Sequence, residues 1–373
     1  MLQADGKAQS LRCPYMQRYG VLAALCILST ACGVSASSSS KEVLSRFYFV
    51  DPAHPTRLIA VDAGGRQQGV VDLGEDEGLS TLVSPDGSRI LRVKSGIILN
   101  GNGQRVGVEG PGDPTVLETN AGAFWADDNR HLCEMRLQRP ASSRAQLPIP
   151  EELVTWTPES KKRVIAQVGR LDSQQYSLIA SLVACSYQSD RALVEEDSNL
   201  IDVAETWLVQ LSTGRVSHHQ TYAAKPNHRL TVSRDARLTA ENYFDSAGDP
   251  ATIIRSVDSG SELARYSHMH VSAFSWDDSL AIAQISAPQR NDVELLDYRS
   301  GRVVWRYSDT QPAGVALPER YQVCAIAGGN TFVLRLWNAP NYMTGGPLTI
   351  VHGDASTQTV VGPGRLVDCT SGV

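Results

Sequence analysis

The chain has 373 residues, 20% of them charged and 42% hydrophobic, with a formal net charge of −6. Those are ordinary proportions for a folded globular protein. The negative balance excludes the basic surface that nucleic-acid binding requires.

The N-terminal forty residues read as an address. Lys7, Arg12 and Arg18 precede an apolar run at residues 21–28, and Ser29, Thr30 and Ala31 follow it. A basic end, a short apolar core and small residues form the layout of a secretory signal. The core is too short to span a bilayer, which takes about 20 apolar residues, and no second stretch reaches that length. "LSTAC", residues 28–32, resembles the lipobox of bacterial lipoproteins, with Thr30 and Ala31 supplying the small residues before the cysteine. Ser29 stands where leucine is usual, and Leu28 lies one place further out. The resemblance implies cleavage before Cys32, a diacylglyceryl group on its thiol, and attachment to a lipid bilayer at the outer face of the cell membrane. The alternatives are an ordinary signal peptide cut nearby and an uncleaved anchor. A start at Met16 would give a shorter, more typical leader. Residues 1–31 are thus expected to be a signal peptide and the Ser-rich residues 32–42 a tether. Such a composition buries too little apolar surface to fold.

From residue 43 onward a strand–turn–strand unit recurs. "TLVSPDGSRILRV" starts at Thr81, "AFWADDNRHLCEM" at Ala123, "LTVSRDARLTAENY" at Leu230 and "SAFSWDDSLAIAQI" at Ser272. Weaker copies are "LVACSYQSDRALVE" from Leu182 and "QVCAIAGGNTFVLRL" from Gln322. Each pairs two alternating apolar runs around a polar turn, the pattern of half-buried strands. Asp, Asn and Gly suit such turns. A second motif follows, as in "WLVQLSTGRVS" (Gly214), "IIRSVDSGSELA" (Gly260) and "VELLDYRSGRVVW" (Gly301). The unit is about 40–50 residues long and holds four strands, the period of a β-propeller blade.

Residues 43–373 are therefore expected to form an all-β, seven-bladed propeller; six or eight blades also fit, because the interval from Asp128 to Asp190 is hard to partition. Blade 1 has "RFYFVD", "TRLIAVDAGG" and "RQQGVVDL" but no innermost strand before them. "GRLVDCTSG", residues 364–372, is expected to supply that strand and close the ring, which removes an open sheet edge.

Four cysteines lie beyond Cys13, Cys26 and Cys32, and an even number in an exported chain implies disulfides. Blade assignment predicts Cys133–Cys185 and Cys324–Cys369, both between neighbouring blades. Each closes a loop of about 50 residues, worth about 4 kcal/mol in the loop-entropy model. Four free buried thiols are the other reading.

"SPDGSRIL" (84–91) and "FSWDDSLAIA" (274–283) resemble the repeats of TolB-type and WD-like propellers. "LLDYRSGRVVWRYS" (295–308) resembles one repeat of quinone-type propellers, whose tryptophan occurs in a single blade here, Trp305. These likenesses imply architecture, and fold does not carry function with it.

Motifs of chemistry are scarce. There is no G-x-S-x-G, H-E-x-x-H or phosphate-binding Gly-rich loop with Lys. His268 and His270 form H-x-H before the strand of blade 6 and could begin a metal site, although no third ligand is in view. His218 and His219 adjoin and point to opposite strand faces. Residues 72–78, "DLGEDEG", carry spaced carboxylates without a full calcium-loop signature. Residues 195–205, "EEDSNLIDVAE", read as an acidic insertion between two strands of blade 4. The six tryptophans are expected to pack between sheets. Residues 338–347, "NAPNYMTGGP", form a long connection of the kind that carries recognition. No catalytic, metal-binding or cofactor-binding residue is assigned.

The function expected is binding: a monomeric, membrane-anchored disc presenting loops to an envelope protein, peptide or glycan, without cofactor. The alternative is a lactonase- or glycosidase-like hydrolase with carboxylates and histidines gathered at the central channel. A quinone-dependent redox protein is a third reading.

Overall fold

A computed structural model describes residues 46–367 except 63–64, 75–80, 94, 109–123, 138–148, 161, 172–177, 199–202, 224–227, 288–289, 310–320, 327–328, 337–346 and 363. Cys32 and Cys369 lie outside the described residues. The propeller belongs to the compact unit Val43–Val373.

Seven four-stranded antiparallel sheets form a ring, so the protein is a seven-bladed β-propeller. Six blades follow chain order from the inner strand to the outer one. Their inner strands are Thr81–Val83, Phe124–Trp125, Leu178–Ser186, Arg229–Val232, Met269–Phe274 and Tyr321–Ala325. Blade 1 departs from this rule as expected: its inner strand is Arg365–Leu366, paired with Val50 and Phe49 of Arg46–Asp51. Val367 N then donates to Tyr48 O at 2.8 Å. The last strand therefore closes the ring on the first blade.

The repeated turn sequence is a repeated hydrogen-bond device. In "SPDGSR", "SRDARL" and "SWDDSL" the serine hydroxyl donates to the Asp two residues on: Ser84 to Asp86, Ser233 to Asp235, and Ser275 to Asp277, at 2.7–2.8 Å. The same hydroxyl accepts from the backbone five residues on, at Arg89, Leu238 and Leu280, each at 2.9 Å. Each Asp also accepts the backbone N–H two residues later, an Asx turn. Asp278, Asn129 and Asp190 take positive φ at such turns, which their short polar side chains tolerate.

Neighbouring blades meet through apolar faces. Between blades 3 and 4, Leu153, Met135 and Phe124 pack on Leu182, Val194 and Val209. The Cys133–Cys185 disulfide lies in this seam, joining the second strand of blade 3 to the inner strand of blade 4, with Cα atoms 6.5 Å apart. Cys324, on the inner strand of blade 7, is also disulfide-bonded. Gly214 shows how tight the seam is. A Cβ there would stand 2.3 Å from Ile165 O, and its φ of +70° favours glycine in any case. The long interval in blade 3 is accounted for by one connection, residues 138–148, between Leu132–Leu137 and Ile149–Trp156.

Candidate functional site

Strand order divides the connections between two faces. The turns from inner to second strand and from third to outer strand emerge on one face, and all are short, for example 84–88, 187–190, 211–215 and 298–301. The connections from second to third strand, and those between blades, emerge on the other. The strand ends that flank 109–123, 138–148, 310–320 and 337–346 lie on that face.

On the turn face, the residue before the Asp of the repeat bridges blades in three of them, Asp127, Arg234 and Trp276. Asp127 of blade 3 accepts from Ser186 Oγ at 2.5 Å and Tyr187 N at 2.8 Å of blade 4. Tyr187 stacks on His131 with ring centroids 3.6 Å apart. Arg234 of blade 5 donates to the carbonyl of Trp125 in blade 3 and lies 5.5 Å from the Trp276 ring of blade 6. Blade 4 separates blades 3 and 5 in the ring, so Arg234 reaches its partner across the channel mouth. Desolvation lowers the Arg234 pKa to about 10, against the opposing pull of Asp127 and Asp128, and the guanidinium stays charged at neutral pH. Ser189 Oγ donates to Asp235 O at 2.6 Å, Asp86 N to Asn129 Oδ1 at 3.0 Å, and Trp276 N to Gly329 O at 2.9 Å. Burial, with the neighbouring Asp235 carboxylate, raises the Asp278 pKa to about 8. These turns tie blade to blade and brace this mouth from within.

Beneath the loop face the seams carry carboxylates. Glu151 of blade 3 is 2% exposed and accepts from Ala180 N of blade 4 at 3.3 Å. Burial, with a smaller contribution from the Glu196 carboxylate, raises its pKa to about 7. Burial also raises Glu196, whose carboxylate accepts from Trp207 Nε1 at 3.2 Å. One seam further, His228 lies 3.8 Å from Glu195 and 4.0 Å from Glu241, beside Tyr222, whose pKa burial pushes up to about 12. Glu151 has the raised pKa of a general acid. Its burial keeps it from any open surface, so its role here is to join blade 3 to blade 4.

This corrects one expectation. Residues 195–205 are not a surface insertion: Arg191–Ser198 and Val203–Gln210 continue through the acidic run, with Glu196 opposite Glu205, and only residues 199–202 connect them. Glu196 accepts from Trp207 within blade 4 and Glu195 faces His228 of blade 5, so part of the run's charge is met where the strands lie.

The histidine pairs do not converge. His270 Nε2 donates to Tyr243 O at 3.0 Å, whereas His268 Nδ1 faces Asp249 at 3.7 Å. His218 packs edge-on to Trp207, while burial lowers the pKa of His219 on the other side of the strand. Among the described residues no group of three or more His, Cys, Asp or Glu is arranged to hold a metal ion. Trp125 and Trp156 are fully buried, Trp207, Trp276 and Trp305 partly so. Trp337, residues 75–78 and residues 338–346 lie outside the described residues. No helix among the described residues is long and apolar enough to cross a membrane.

No protein-family model matches the chain, and no curated protein matches it in sequence. Solved structures of similar fold include TolB from Acinetobacter baumannii, at 15% identity and a TM-score of 0.45, covering 86% of this chain and 64% of that one. Oligogalacturonate lyase from Vibrio parahaemolyticus is similar at 12% identity and a TM-score of 0.49, covering 85% and 89%. A putative dipeptidyl aminopeptidase IV from Bacteroides ovatus is similar at 9% identity and 0.49, covering 86% and 51%. The chain thus spans 64% of the TolB chain it matches.

Proposed function

We propose that this chain is an exported lipoprotein, held to the outer face of the cell membrane through a lipid on Cys32. Its propeller is a monomeric binding module that presents the loop face to an envelope protein, peptide or glycan. The observation that supports this reading most is the division of the two faces. One mouth is braced by blade-to-blade bonds among short turns, and the strand ends that flank the long connections lie on the other. Recognition sites concentrate on such loops when a rigid scaffold positions them.

Two experiments test it. Cells expressing the chain and fed labelled palmitate should label the parent and not Cys32→Ala; equal labelling of both removes the anchor. Replacing residues 109–123 by a short Gly/Ser linker should abolish capture of a saturable envelope partner while leaving the melting temperature unchanged. Capture that survives replacement of 109–123 and of 337–346 removes the loop-face reading.

The hydrolase alternative has one observation in its favour, the raised pKa of Glu151. At 2% exposure that carboxyl meets no substrate unless blades 3 and 4 separate, and the Cys133–Cys185 bond opposes their separation.

A further inference from the structure

On the turn face, blade 6 carries a carboxyl where the matching turns of other blades carry none. The same bond closes the inner turns of blades 2, 3, 5 and 6, from the N–H of the last residue to the carbonyl of the first: Gly87 to Ser84, Asn129 to Ala126, Ala236 to Ser233 and Asp278 to Ser275. Each of these closing residues takes positive φ, between 56° and 69°. Gly87, Asn129 and Ala236 cannot ionise, so the turn itself does not require the Asp278 carboxyl.

Asn129 shows what a side chain does at this position. It reaches back to the preceding blade, where its Oδ1 accepts from Asp86 N at 3.0 Å. Asp278 reaches back to the preceding blade too, but there it comes within hydrogen-bonding reach of another carboxyl, that of Asp235. Asp278 Oδ1 is buried and meets no hydrogen-bond partner among the described residues. The charged groups around it are Asp235 and Arg237 from blade 5 and Asp277 from its own turn. Arg237 Nε is held by Asp235 Oδ2 at 3.2 Å. Tyr298 donates to the main-chain oxygen of Asp278 at 3.0 Å, and Arg299 lies against the Tyr298 ring. From blade 4, Ser189 Oγ donates to Asp235 O at 2.6 Å. Two carboxylates so placed repel, and a proton shared between them turns that repulsion into a hydrogen bond. Burial and the Asp235 carboxylate hold the proton on Asp278 up to about pH 8.

The pair sits beside the brace across the channel mouth. Arg234 immediately precedes Asp235, and Trp276 lies two residues before Asp278. The Arg234 guanidinium rests 5.5 Å from the Trp276 ring and donates to Trp125 O. Two successive residues of the blade 5 turn thus engage the turn of blade 6.

We propose that Asp235 and Asp278 form a proton-operated latch on the turn-face mouth: one shared proton ties blade 5 to blade 6, and its release to solvent frees the Arg234 brace beside it. An open seam leaves Asp278 in water with an ordinary carboxyl pKa. Opening therefore releases the proton and becomes easier as pH rises from about 4 to about 8. The latch is closed in acid and loosened in mild alkali, whatever the loop face binds.

Hydrogen exchange of the full chain, corrected for the pH dependence of intrinsic exchange, tests the latch. The amides of residues 234–238 and 275–280 should lose protection by about tenfold or more between pH 5.5 and 8.5. Those of Arg46–Asp51 in blade 1 should hold theirs. Asp278→Asn should keep full protection at pH 8.5, because its amide donates to Asp235 at every pH and Asn129 already takes this φ in blade 3. Asp235→Asn should do the same from the other side, and decides the matter if the first variant does not fold. The proposal is overturned if the parent is equally protected at both pH values, if blade 1 loses protection to the same extent, or if the variants lose it as the parent does.

Discussion

Arg234 of blade 5 donates a hydrogen bond to the main-chain carbonyl of Trp125 in blade 3, with blade 4 between them in the ring. The bond joins residues 109 positions apart and crosses the mouth of the channel on the turn face. It links two blades that share no seam.

Arg234→Met keeps the aliphatic stem and removes the donors. It should cost about 2 kcal/mol, the worth of a hydrogen bond from a charged group, and lower the melting temperature by about 3 °C. Arg234→Lys should not restore it, because a single ammonium cannot both reach the carbonyl and lie flat on Trp276. Thermal unfolding followed by circular dichroism measures both. Equal melting of the parent and both variants would mean that the link contributes nothing.

The Cys133–Cys185 bond closes 52 residues and pins blade 3 to blade 4. Cys133→Ser with Cys185→Ser should lose about 4 kcal/mol of stability, measured by denaturant unfolding under oxidising conditions. Native peptide mapping should recover the 133–185 linked peptide from the parent.

The perturbed carboxyls predict a pH dependence with a definite sign. Asp278 titrates near 8 in the fold against an ordinary value of 3.8, and Glu151 near 7 against 4.5. A raised carboxyl contributes stability in full below its unfolded pKa and loses it as pH rises through the folded pKa. Stability should therefore fall from about pH 4 to about pH 8. Asp278→Asn, which tolerates the positive φ at this site, should flatten the upper part of that fall, by about 2 °C at pH 9. Glu151→Gln should flatten the lower part. Parallel melting curves for the parent and both variants across this range would contradict the assignment.

Much of the propeller was legible because its signals are local. The Ser–x–Asp turns are built from bonds spanning two and five residues, so the sequence repeat and the hydrogen-bond repeat are one object. Closure by the chain end, which the described residues show at Arg365–Leu366, was visible because blade 1 lacked an inner strand. The bridges of the turn face were not legible. Asp127 and Arg234 occupy the x position of that same motif, but their partners lie in other blades. The variable residue of the repeated turn was the available signal. The acidic run 195–205 misled for a related reason. Charge on a strand reads as loop until its neighbours are known, and Trp207, His228 and Glu241 come from beyond that run.

Binding of a partner through the loop face is tested most directly by site-specific photo-cross-linking in the native envelope. A photoreactive residue would replace Ala53 or Ala247, both exposed on the loop face, or Ser259 or Ser300, both exposed on the turn face. Positions 53 and 247 should give one discrete adduct, and positions 259 and 300 none. Adducts from the turn-face positions alone, or from none of the four, would contradict it.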